Sequence, residues 1–123
     1  MLKSISTHLF RDAVLGVPQL DLIAKAGFNQ VEIFCTRTHL DYTNANHVRE
    51  IAGWFSDSEV KLHSLHAPMY KDDVGGRSGP DAVIDITEPV KSKRLPMVDE
   101  IKRTLDIHRH VSGYPYHWRR WRR

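Results

Sequence analysis

Three apolar, β-prone runs separated by two helical periodicities constrain this chain more than any single motif in it. The first run covers residues 2–10, where Ile5, Thr7 and Leu9 alternate with Ser4, Ser6 and His8. That is the period-2 pattern of a strand, ending near His8. The second covers residues 30–35, with Val31, Ile33 and Phe34 around a single carboxylate, Glu32. The third starts at Val60 in VKLHSLHAPMY, where His63 and His66 interrupt Leu62 and Leu65. It reads as one buried strand, stopped near Pro68, whose ring fixes φ and removes the ladder donor. Between the first two runs, Leu20, Ile23 and Ala24 follow helical spacing over about residues 18–26. Pro18 suits a first helical turn, and Gly27 suits the left-handed position just past a helix end. Between the second and third runs, Asn44 is an N-cap, and Val48, Ile51, Ala52 and Phe55 form one face at i, i+3, i+4 and i+7. Strand, helix, strand, helix, strand with short links predicts an α/β fold with a parallel sheet and right-handed crossovers.

The remainder of the chain does not continue that alternation. Residues 71–80 hold Gly75, Gly76, Gly79 and Pro80 and are expected to form a mobile surface loop. They lack the Gly-Lys-Ser/Thr ending of a phosphate-binding loop. Residues 83–87 suggest a short extended piece. Met97, Ile101, Leu105 and His108 then share a helical face, with Glu100 and Arg103 or Thr104 one turn apart as on a solvated face. A helix that begins near Pro89 and is kinked at Pro96 is favoured over one that opens at Pro96. No apolar run of a fourth strand follows. The chain ends in SGYPYHWRRWRR, so residues 112–123 form a basic aromatic tail expected to be disordered and not to pack on the sheet.

Composition narrows the function classes. The 123 residues form one domain or a piece of one, and 41% hydrophobic content suffices for a core. No run approaches the ~20 apolar residues of a membrane span, and no signal peptide opens the chain. The single cysteine, Cys35, forms no internal disulfide, fits a cytoplasmic location, and reads as a small buried hydrophobe. The net charge of +3 is local, because Arg119, Arg120, Arg122 and Arg123 carry it. Nucleic-acid binding is therefore not expected of the body. In the tail, Trp stacking with Arg–phosphate contacts is the alternative function class.

Candidate site residues cluster where strands end, the place at which ligands bind in α/β folds. They are His8, Glu32, His66 and the loop after the second strand, TRTHLDYT, with Arg37, His39 and Asp41. A carboxylate on a buried strand needs a partner or a ligand, so Glu32 points either to a nearby Arg or to a site. Arg37, His39 and Asp41 suit an anionic sugar, or else satisfy one another. His63 is expected to face the helices as a structural residue, and His47, His108 and His110 to lie on helix surfaces.

These pieces, in order, are AGFNQVEIF at 26–34, TRTHLDY at 36–42, LHSLHAP at 62–68 and VDEIKRTL at 98–105. Together they resemble the amino-terminal part of the xylose-isomerase-like (β/α)8 superfamily of sugar phosphate isomerases and epimerases, which also includes endonuclease IV. The resemblance covers residues 1–111 as the amino-terminal part of a TIM barrel, and it fails after Val111. Such a barrel needs ~250 residues, so the resemblance implies three parallel strands with alternating helices and a barrel not completed. A truncated or frame-shifted product is the corresponding expectation. The resemblance further implies a divalent metal (Mn, Mg or Zn) in the complete parent enzyme and a sugar or sugar phosphate substrate. His66 carries over as a metal ligand or a substrate contact, and His8, Glu32, Arg37 and His39 as substrate-binding residues of the pocket wall. An endonuclease IV-like phosphodiesterase ancestry is the alternative it leaves open. On this reading the chain by itself is inactive, binds no metal stably, and self-associates through exposed sheet edges and a bare apolar sheet face.

Overall fold

The computed structural model describes residues 1–71 and 82–112. Apart from Lys71 and Ser112, the expected mobile loop and basic tail lie outside the described residues. The fold is mixed α/β. Strands β1 (Ser4–Ser6), β2 (Gln30–Phe34) and β3 (Lys61–His66) form a parallel sheet in the order β1-β2-β3. Helices α1 (Val17–Lys25), α2 (Ala45–Asp57) and α3 (Lys91–Ser112) accompany it.

The helix ends follow local chemistry. Pro18 lies in the first turn of α1, and the Gly16 N–H donates to Gln19 Oε1 at 2.9 Å. Gly27 stands just beyond the end of α1 with φ of 87°, a left-handed conformation that only glycine adopts without strain. The Asn44 side chain caps α2 by accepting from the Asn46 and His47 backbone N–H groups. Helix α3 begins at Lys91 and runs through Pro96, so Pro96 does not open it.

All three helices pack on one face of the sheet. Leu20 and Ile23 of α1, Ile51 and Phe55 of α2 and Ile107 of α3 meet Val31 and Ile33 of β2 in a single cluster. The Trp54 indole N–H donates to Asp21 at 2.7 Å and ties α2 to α1. The other face is polar, which corrects the expectation of a bare apolar sheet face. The cross-strand register puts Ser4 beside Gln30, and Ser6 and Ser64 beside Glu32. The Ser4 hydroxyl donates to Gln30 Oε1 at 2.8 Å.

Three further expectations are corrected. First, β1 stops at Ser6, and Thr7–Phe10 wind into a 3₁₀ turn. The Thr7 hydroxyl takes the Phe34 N–H at 2.9 Å, a side-chain bond where a continued β1 would have to supply a backbone carbonyl. Second, β3 is not buried, since its residues are exposed or half-exposed. A bulge shifts the register between Val31 and Glu32, pairing Val31 with Leu62 but Glu32 with Ser64. His63 is the extra residue. The bulge puts Leu62 and Leu65, three apart, on the helix side and leaves His63 exposed beside Ser64 rather than facing helices. Third, α3 is rotated from its expected face. Met97, Thr104 and Ile107 are buried, while Ile101, Leu105 and His108 are half-buried. Buried Thr104 is satisfied within the helix, its hydroxyl donating to the Ile101 carbonyl at 2.7 Å. The short piece expected at 83–87 reduces to an antiparallel bridge of Val83 with Tyr70.

Ile51 is fully buried where α2 meets the sheet, whereas Leu22 on α1 is 58% exposed. Ile51→Ala is expected to lower the unfolding free energy by about 2–5 kcal/mol in urea titrations, and Leu22→Ala by less than about 0.5 kcal/mol. Equal losses would contradict this packing.

Candidate functional site

The carboxyl ends of the three strands gather at one rim. Phe34, the last residue of β2, is 2% exposed. The His8 ring stands edge-on to it with centroids 4.6 Å apart, and the His66 ring packs edge-on at 5.3 Å. His8 and His66 are both exposed, so two imidazoles flank one buried aromatic at the surface. The His66 Nδ1–H donates to the adjacent Ala67 carbonyl at 2.9 Å. In the neutral ring that bond selects the Nδ1–H tautomer and leaves Nε2 as the electron-pair donor. Glu32 lies two register pairs behind this row, half-buried, and accepts from the Ser64 hydroxyl at 3.2 Å. Its partner is thus a hydroxyl on the neighbouring strand.

The loop candidates are placed differently, with Asp41 accepting from the Thr43 N–H and hydroxyl within the loop. His39 is fully buried. Its Nδ1 lies 2.7 Å from the Ala13 carbonyl, which only accepts, so Nδ1 carries the proton. Its Nε2 lies 3.0 Å from the Thr7 hydroxyl, and in the neutral ring with its proton on Nδ1 it accepts from that hydroxyl, which itself accepts from the Phe34 N–H. Burial, more than the nearby His47 and His8 charges, holds His39 below the ordinary histidine pKa, against the Ala13 and Phe10 carbonyls, which favour the charged ring. Both ring nitrogens serve the fold.

Arg37 is committed to α3. Its Nε and Nη2 donate to the two Glu100 oxygens, each at 2.7 Å, in a bidentate pair. Glu100 also accepts from the Tyr42 hydroxyl, and from Arg103 at 3.1 Å. Its side chain is only 14% exposed, which corrects the expectation of a solvated Glu100. Burial alone would raise the Glu100 carboxyl. The Arg37 and Tyr42 hydrogen bonds and the Arg37 and Arg103 charges outweigh it and hold the pKa below the ordinary value. In turn the Tyr42 hydroxyl is pushed up, by burial and by its bond to Glu100. The Arg37 guanidinium lies 5.7 Å from the centroid of the Tyr42 ring, so cation, ring and carboxylate form one latch. A cleft of about 270 Å³ beside the latch is lined by Arg37, Lys71, Asp99, Glu100 and Arg103.

Four residues in these arrangements escaped the sequence reading as partners: Thr7, Tyr42, His47 and Glu100. Thr7 looked like one side of an alternating strand, and Glu100 like half of a surface i, i+3 pair. The usable signal was the excess of polar side chains in TRTHLDYT over what its own length can satisfy. Cys35 is fully buried, its thiol pushed up to about 12 by burial and then by the Glu32 charge, which leaves it unreactive. Among the described residues no group of three or more His, Cys, Asp or Glu is placed to hold a metal ion. Among them, too, no helix is long and apolar enough to cross a membrane. No family model, curated protein or solved structure matches the chain.

Glu100→Gln removes the charge that Arg37, Tyr42 and Arg103 share, and is expected to cost about 1–3 kcal/mol at neutral pH. Because folding lowers the Glu100 pKa from 4.5, its contribution is full above that value and lost as pH falls through the lower folded-state pKa. Denaturant titrations from about pH 6 to pH 3 should show a shallower acid loss in Glu100→Gln than in wild type. Identical acid limbs would contradict the latch.

Proposed function

We propose that the three β-strands correspond to the first three strands of a xylose-isomerase-like (β/α)8 barrel from a metal-dependent sugar or sugar phosphate isomerase or epimerase. The observation that carries the reading is the rim. His8, Phe34 and His66 stand together at the carboxyl ends of adjacent parallel strands, on the helix-free face. In a barrel that face is the interior and that end is the ligand end. The motif spacing in the sequence supports the family, and the parallel order of the strands is compatible with it.

Within this reading His66 is the metal ligand, through the Nε2 that its backbone bond leaves as donor. Glu32 is the second oxygen or nitrogen donor nearby, held by Ser64. Imidazole and carboxylate suit Mn²⁺ or Zn²⁺. Catalytic sites hold about three protein ligands, so these two supply part of a site and later strands of the parent enzyme supply the rest. When bound, a divalent metal supplies polarisation of the sugar carbonyl and hydroxyl, while a carboxylate moves the proton. His8 contacts substrate across Phe34 from His66. Arg37 and His39, spent on Glu100 and on Thr7 and Ala13, shape the rim from behind rather than touch the sugar.

The test is a Mn²⁺ titration followed by NMR line broadening on the chain itself. Broadening is expected first at His66, His8 and Glu32, at millimolar metal, and His66→Ala should abolish the preference. No ketose turnover is expected with Mn²⁺, Mg²⁺ or Zn²⁺ from these strands alone. Broadening centred on His47, His108 or His110 would overturn the assignment of His66.

A further inference from the structure

Two histidines that the proposed chemistry does not use grip the same short segment from opposite sides. His39 donates from Nδ1 to the Ala13 carbonyl at 2.7 Å, and its own carbonyl accepts from the Leu15 N–H at 2.7 Å. His47, in the first turn of α2, lies with Nε2 2.6 Å from the Leu15 carbonyl and with Nδ1 3.2 Å from the Asp41 N–H. A carbonyl only accepts and a backbone N–H only donates. His47 is therefore protonated on Nε2 alone, and His39 carries a proton on Nδ1; in its neutral form His39 accepts from the Thr7 hydroxyl through Nε2, so the two neutral rings are opposite tautomers. Leu15 between them is 1% exposed.

We propose that His39 and His47 form an acid-released clasp that straps residues 10–16 to the rim. Every donor and acceptor in the set is matched when both rings are neutral. A proton on His39 Nε2 turns that atom into a donor toward Thr7 Oγ1, which already accepts from the Phe34 N–H. The Thr7 hydroxyl proton then loses the acceptor it has, in a side chain with no exposure. A proton on His47 Nδ1 sets two donors face to face, because the Asp41 N–H points at that atom. Either proton breaks the set.

The electrostatic surroundings agree. His39 faces His8 from the 3₁₀ turn, the Phe34 ring from β2 and His47 from α2, with exposed Arg11 and Asp12 beside Ala13 in the strapped segment. Asp41, whose N–H meets the His47 ring, has its carboxylate bonded to Thr43, and Glu50 lines a cleft together with His47. Folding depresses the His39 pKa below its ordinary 6.5, with burial the first cause. The stability that neutral His39 contributes is therefore full above pH 6.5 and is lost as pH falls through the folded-state value. Thr7 opens the 3₁₀ turn that carries His8, so release of the clasp frees His8 from Phe34. The clasp is held by hydrogen bonds that do not depend on the reaction served by the rim.

The test is NMR on the intact chain. Long-range ¹⁵N–¹H spectra at about pH 7.5 should show His39 as the Nδ1–H tautomer and His47 as the Nε2–H tautomer. Between about pH 7 and pH 5 the exchange protection of the Leu15 amide should fall about tenfold or more, while Val31 and Ile33 in β2 keep theirs. An imidazolium or the opposite tautomer at either residue at pH 7.5 would overturn the proposal. So would Leu15 protection that is unchanged by acid, or that is lost in step with β2.

Discussion

Strand β2 is hydrogen-bonded on both edges and covered on its helix side, and every other element takes its position from it. Val31 and Ile33 have no exposure, and all three helices meet them in one apolar cluster. On the opposite face Gln30 and Glu32 pair with serines of β1 and β3, so this face meets solvent with side chains that bond one another. A three-stranded parallel sheet has one strand that can be paired on both sides, and here it also bears the apolar core. The burial of Ile51 and Phe55 on α2, Leu20 on α1 and Ile107 on α3 depends on that strand staying where it is.

The chain leaving β2 extends this control through polar bonds. Within residues 35–43, His39 reaches back to the end of β1 through Thr7 and to the following segment through Ala13. Arg37 and Tyr42 reach forward to Glu100 on α3. The loop is therefore a junction: His39 holds the segments that precede β2, and Arg37 and Tyr42 together hold α3. Its chemistry resembles that of a substrate loop because both tasks need convergent donors and acceptors. The difference lies in where the partners are. Loop donors that end on backbone carbonyls and a buried carboxylate are engaged in the fold, whereas His8 and His66 meet at an exposed edge over Phe34.

The elements were legible in the sequence because period and punctuation agreed. Asn44 and Gly27 mark helix ends through local backbone chemistry, which needs no knowledge of the fold. The failures share a cause: the deciding partner is far away in sequence. β1 ends early because Thr7 bonds Phe34, 27 residues on, and α3 turns toward Arg37, 63 residues before Glu100. The bulge in β3 was half visible. Leu62 and Leu65 are out of phase for a regular strand, and an inserted residue at His63 restores both to the core side. The polar residues at the strand ends do converge in space. Which of them serve the fold could not be read, because Arg37 and His39 are told apart from His66 only by their distant partners.

The central claim is that adjacent parallel strands deliver His8, Phe34 and His66 to one rim. It is tested most directly by nuclear Overhauser effects from the Phe34 ring protons. The account predicts contacts to the imidazole protons of both His8 and His66, whose ring centroids lie 4.6 and 5.3 Å away. Contacts from Phe34 to His63 in place of His66, or to neither flanking histidine, would contradict it.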